Sequence, residues 1–332
     1  VSFLQNAAGT LLLRYGNHES SLSTESLALL AQASADGYVA IRDSWKARAA
    51  YLVQTARGFA SVLERRWVPL AGGRAFTVRT RRRTGDPMVS AIAGDAFVDV
   101  FLATGDHSYA AAASAIVRAL MGSTKLWLRS GAAGGGAAAA SATVALFLER
   151  AADIDISASS IGIPPSASDH EEIRAERADA RQADAEVADT SALRALAAGA
   201  VAGASSHAPS GLARLAMTLI ALTAPATAAD DPNVASVATA DLALIHTVFS
   251  AAGRPAPGPA TKASRASGCI ALAALTPGSA LLRQAMEWAL NHRRTDGTLP
   301  LAAYSDPVGQ AFCLVAIERE VSLLQRGVLP QP

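Results

Sequence analysis

The chain has 332 residues, of which 51% are hydrophobic, 17% charged and only 5% aromatic, a length that accommodates one large core or two ordinary domains. Its 29 basic and 28 acidic residues leave a net charge of +1, which excludes a general attraction to nucleic acid or to an anionic membrane surface. Alanine supplies much of the apolar fraction, and this favours closely approaching helices over sheets, so the expected class is all-α.

The opening stretch lacks the basic start, apolar run and small-residue cleavage site of a secretory signal, which predicts a cytoplasmic chain. The first helix is expected to start at Ser23 and Thr24, whose hydroxyls can cap it, and to stop at Gly37. A second is read from about Val39 to Arg66, with a kink at Gly58. The alternating run from Arg74 to Thr80, after Gly72 and Gly73, reads as a short β-hairpin inside a loop. Helices follow over Met88–Ala103 and Ser108–Met121, separated by the turn Thr104-Gly-Asp-His107, and over Ala137–Ala151 after a glycine-rich stretch. That stretch lacks the Gly-Lys-Ser/Thr ending of a phosphate loop.

The segment 153–168 reads as a loop, and 169–189 as a charged, solvated helix. Further helices are expected over Ser191–Ala204, Ser210–Thr223, Asn233–Ala252, Ser267–Leu275, Gly278–Arg294 and Pro307–Arg326. The longest apolar tract, Ala208–Ala229, is broken by Pro209, Arg214 and Pro225, so no membrane span is predicted there. The proline-rich linker Gly253–Pro259 is a possible boundary, but the similar helices on either side favour one domain over 1–332.

Two segments carry a resemblance. Ser90–Leu120 is a helix, a Thr-Gly-Asp turn, a tyrosine and a second helix; Gln284–Glu318 is a helix with Trp288, a loop with Asp296-Gly297 and a return helix. Both resemble the hairpin units of α/α-toroid proteins, which include six-hairpin glycosidases, polysaccharide lyases, sugar epimerases and terpenoid cyclases. The resemblance covers about a fifth of the chain and implies an α/α toroid of stacked helical hairpins. Asp153-Ile-Asp155 and Asp230-Asp231 do not supply the Asp-x-Asp-Asp motif of protonation-initiated terpenoid cyclases, and Gln-Trp repeats are missing. With 4 Trp and 5 Tyr, platforms for stacking sugars are few.

Within Gly94-Asp-Ala-Phe-Val-Asp99, helical spacing puts Asp95 and Asp99 on one face with Ile92, Val98 and Leu102. A helix apolar nearly all round is buried. Carboxyls there suit general acid–base work, or they face a solvent groove or bond a neighbouring loop. Asp241 lies on the stripe Val234, Val237, Leu244, Ile245 and Val248, where a charge needs a partner or a wet cavity. It either completes a carboxyl pair with Asp95 or Asp99 or pairs with an arginine such as Arg214 or Arg265.

Asp95, Asp99 and Asp241 are therefore the expected acid–base residues. His107, Arg81, Arg83, Trp288, Asp296 and Tyr304 are the expected substrate contacts. The run Arg79-Thr-Arg-Arg-Arg83 can hold a phosphate or carboxylate, but has no interleaved aromatics for nucleic acid. The six histidines form no His-x-x-x-His or Cys-His cluster, and Cys269 and Cys313 have no zinc-ligand spacing, so no metal and no cofactor is expected. Two cysteines make no disulfide framework; they read as core thiols of a reducing compartment.

The function expected is a carbohydrate-active hydrolase or lyase acting on a small-molecule or oligosaccharide substrate. The alternatives are a terpenoid-cyclase-like enzyme, with a diphosphate near Arg81–Arg83, and a non-catalytic helical scaffold.

Overall fold

A computed structural model describes residues 22–43, 45–77, 85–123, 279–301 and 307–325, together with helical residues at 140, 143, 144, 146–148, 150, 151, 269, 272 and 273. The described part is mostly helical, with one short antiparallel hairpin. In chain order it contains α1 (Thr24–Ile41), α2 (Lys46–Glu64), β1 (Trp67–Leu70), β2 (Gly73–Phe76), α3 (Pro87–Thr104), α4 (His107–Gly122), α5 (Ala280–Asn291) and α6 (Pro307–Gln325).

Helix α1 begins where its hydroxyls predict: Ser23 Oγ accepts a hydrogen bond from the Ser26 backbone N–H at 3.1 Å. It does not stop at Gly37. The helix runs on to Ile41, because Gly37 serves a close approach and not a left-handed cap; a Cβ there would lie 2.8 Å from the Glu318 carboxyl carbon on α6. Helix α1 ends at Ile41, and the helix expected from Val39 starts instead at Lys46 and continues through Gly58 to Glu64.

The hairpin turn, Ala71-Gly72, has φ of 46° and 79°, the paired positive values of a tight β-turn whose twist suits the strands. Trp67 pairs with Phe76 and Leu70 with Gly73. Gly73 lies so close to α4 that a Cβ would meet the Ala115 carbonyl at 2.2 Å. The Phe76 amide donates to Ser90 Oγ at 2.9 Å, and the Asp86 amide donates back to the Phe76 carbonyl at 2.7 Å. The hairpin is thereby fixed to the start of α3.

Helix α3 follows the sequence closely. Asp86 caps it through Val89 N–H at 3.1 Å, Pro87 takes its first turn, and Gly105 ends it in the left-handed conformation at φ 68°. Asp106 then caps α4 through the Ser108 N–H. By length and composition α3 could cross a membrane, yet 72% of it is buried among other elements.

Helix α1 packs against α2, α3 and α6, and α3 also packs against α4. Their apolar side chains, joined by Phe147, form one core that includes Leu27, Leu52, Phe59, Phe97, Ile116 and Ile317.

The two cysteines are fully buried, as core residues should be, but they are not separate thiols: Cys269 and Cys313 form a disulfide. The pairing was hidden because it joins residues 44 positions apart in sequence. The linker at 253–259 and the helices expected between 191 and 252 lie outside the described residues.

Candidate functional site: a buried carboxyl cluster

Helix α3, the most apolar of the described helices, carries two carboxyls inside its core. From Val89 to Val100 every residue of α3 is buried, and Asp95 and Asp99 are 8% and 4% exposed. Separation by one helical turn puts their side chains on the same face. Leu102, expected there too, is instead exposed near the helix end.

Arg150, from the helical residues at 140–151, meets both. Its Nη1 donates to Asp99 Oδ2 at 3.1 Å, while Nη2 makes a second, shorter bond to Oδ1. This two-pronged contact is the geometry in which guanidinium and carboxylate bind best. Asp95 is held more loosely. Its Oδ1 lies 3.6 Å from Nη1, outside hydrogen-bonding distance, and accepts no hydrogen bond.

Asp36 of α1 joins the cluster. Burial pushes its carboxyl up to about 7, helped by Asp99 and Asp95 and opposed by Arg319 and Arg150. Asp95 is also pushed up to about 7, chiefly by burial, with Asp99 adding to the shift and Arg150 and Arg319 opposing it. For Arg150, burial pulls downward, but Asp99, Asp95 and Asp36 outweigh it and hold the guanidinium above its ordinary value. Three carboxyls thus face one fully engaged arginine and the more distant charge of Arg319. The imbalance is relieved by keeping protons on Asp36 and Asp95 near neutral pH. The cluster has a solvent edge, since Asp36 is half-buried and the Arg150 side chain is 32% exposed.

Glu318 extends the seam. It is 1% exposed, its Oε1 accepts no hydrogen bond, and burial pushes its carboxyl up to about 8 against the pull of Arg48. Asp36 raises it further.

The other expected site residues are placed elsewhere or lie outside the described residues. His107 opens α4, its ring 5.5 Å from Phe101. Trp288 packs on the core and stacks on the exposed His292 at 4.6 Å. Asp296 orders its own turn, accepting from Thr298 N–H at 3.0 Å and Thr298 Oγ1 at 2.7 Å. Asp241, Arg81, Arg83 and Tyr304 lie outside the described residues. Among the described residues, no three histidine, cysteine, aspartate or glutamate side chains are placed to hold a metal ion.

Sequence reasoning missed Asp36, Arg150 and Glu318. Asp36 had a local signal, a single charge deep in the apolar run of α1. Arg150 had none, because its partner is 51 residues away. No protein-family model, curated protein or solved structure matches this chain.

Proposed function

We propose that Asp36, Asp95 and Asp99 around Arg150 form the acid–base centre of a carbohydrate-active hydrolase or lyase, set in a fold whose hairpins close into an α/α toroid. The observation that carries this reading is Asp95: a buried carboxyl that holds its proton near neutral pH, with one oxygen free of hydrogen bonds, beside a carboxylate gripped by arginine. A buried carboxyl whose environment raises it towards neutral pH is suited to acid–base catalysis. Asp95 gives or takes the proton, Asp99 and Arg150 set its field, and Asp36 guards the solvent edge. The carbohydrate class rests on the toroid-like segments Ser90–Leu120 and Gln284–Glu318. Small-molecule or oligosaccharide substrates are the corresponding partners.

A second reading, a non-catalytic helical scaffold, is favoured by one observation: Arg150 pairs with both α3 aspartates, as in a structural ion pair.

The test is a screen of neutral and acidic oligosaccharides for new reducing ends or unsaturated products, run with wild type, Asp95→Asn and Asp99→Asn. Activity in the wild type that falls at least a hundredfold in Asp95→Asn, with an unchanged melting temperature, supports the enzyme. Turnover untouched in Asp95→Asn removes Asp95 from the chemistry. A broad screen without activity, combined with strong destabilisation by both substitutions, favours the scaffold.

A further inference from the structure

The last described helix and the two segments beside it are tied together three times, at positions that bear on the carboxyl seam. Gln310, fully buried, accepts from the Leu299 N–H at 2.9 Å and donates to the Leu299 carbonyl at 2.8 Å. Two residues further along the loop, the Leu301 carbonyl accepts from the Cys269 N–H at 3.2 Å. The third tie is covalent, from Cys269 to Cys313 on α6. Cys313 stands five residues before Glu318, about 7.5 Å along the helix axis. Glu318 in turn packs against Gly37 of α1, leaving no room for a Cβ.

We propose that the Cys269–Cys313 bond is a redox lock that holds α6 in the position where Glu318 meets α1, and that the chain is built to fold in an oxidising compartment. Three observations support this. Both cysteines are 0% exposed, so a soluble reductant has no route to the sulfurs in the folded protein. The bond joins residues 44 apart, and closing so long a loop removes much of the freedom of the unfolded chain. The tethered helix places a carboxyl whose Oε1 accepts no hydrogen bond directly against Gly37, so a shift of α6 changes its surroundings.

Disulfides of this kind persist in oxidising compartments and are rare where glutathione and thioredoxin keep thiols reduced. This reverses the compartment that the cysteine count suggests. The lock stands independently of any carbohydrate chemistry.

Formation of the bond balances as a two-electron oxidation. Both thiols give up their protons, one sulfur attacks the disulfide of a thiol–disulfide oxidant and the second displaces it, and the oxidant leaves as a dithiol. The bond has to form before or as the core closes, because afterwards neither sulfur is accessible.

The full chain can be refolded in a glutathione redox buffer and, separately, in excess reductant, and compared with the double variant Cys269→Ala, Cys313→Ala. The oxidised protein should show no free thiol after denaturation without reductant. Its unfolding equilibrium constant should be about a thousandfold lower than that of the reduced chain. Backbone amides of α6 and of α1 around Gly37 should exchange with solvent faster in the reduced chain and in the double variant. Should the double variant fail to fold, the reduced wild type supplies the same comparison. Two titratable thiols after refolding in the redox buffer would overturn the proposal. So would equal stability and equal α6 exchange in the oxidised and reduced chains.

Discussion

The two sides of α3 solve the problem of burial differently. On one side Phe97 packs between Phe76 of the hairpin, with ring centroids 6.1 Å apart, and Tyr109 of α4, at 6.2 Å. There, burial itself is the stabilising term. On the other side Asp95 and Asp99 enter the same core beside Arg150, and burial raises the Asp95 carboxyl. An apolar contact is satisfied by any neighbour of the right shape, whereas a buried charge needs a particular partner or a particular pH. The aromatic side of α3 should therefore be insensitive to pH and the carboxyl side sensitive to it.

The largest test of that contrast is Phe97→Ala. Removing a ring that is 1% exposed should cost about 3–5 kcal/mol in a denaturant melt, by the same amount at pH 5 and pH 8. A loss that changes strongly between those pH values would show that the two sides are coupled.

Arg150→Met comes next. It leaves Asp99 buried without its charge partner, a situation that costs about 3 kcal/mol for a buried pair. The exposed third of the Arg150 side chain lowers that figure somewhat. The loss should be much smaller in an Asp99→Asn background, where no carboxylate is left without its partner, and an equal destabilisation in both backgrounds would mean that Arg150 acts through packing alone.

The third effect is a slope, smaller than the others over any one pH unit. Glu318 has its carboxyl raised from an ordinary 4.5 to about 8, so the folded chain holds a proton that the unfolded chain releases across that interval. Its contribution is whole below about 4.5 and is lost as pH rises through about 8, at about 1.4 kcal/mol per pH unit for one group. Glu318→Gln should flatten the fall in stability between pH 5 and pH 8 by up to that amount. Asp36 and Asp95 should retain the remainder of the slope up to about 7. An unchanged slope in the variant would place the pH dependence elsewhere.

Much of the local structure was legible in advance because its causes are local. The cap at Ser23, the helix expected over Met88–Ala103 and found over Pro87–Thr104, the turn Thr104-Gly-Asp-His107 and the hairpin turn at Gly72 each depend on residues within a few positions of one another. So did the placing of Asp95 and Asp99 on one buried face, which needs only a period of 3.6 and an apolar helix.

By itself, then, the sequence determined a mostly helical chain with one short hairpin and a carboxyl pair in a strongly apolar helix. The tertiary structure alone decided that Gly37 continues α1 because Glu318 lies against it, and that Arg150 is the partner of Asp99. It also decided that Asp36 joins the pair and that Cys269 bonds Cys313. The reason is range: periodicity and capping act within a helical turn or two, whereas charge pairing, close approach and cross-linking depend on which distant segments the packed core brings together.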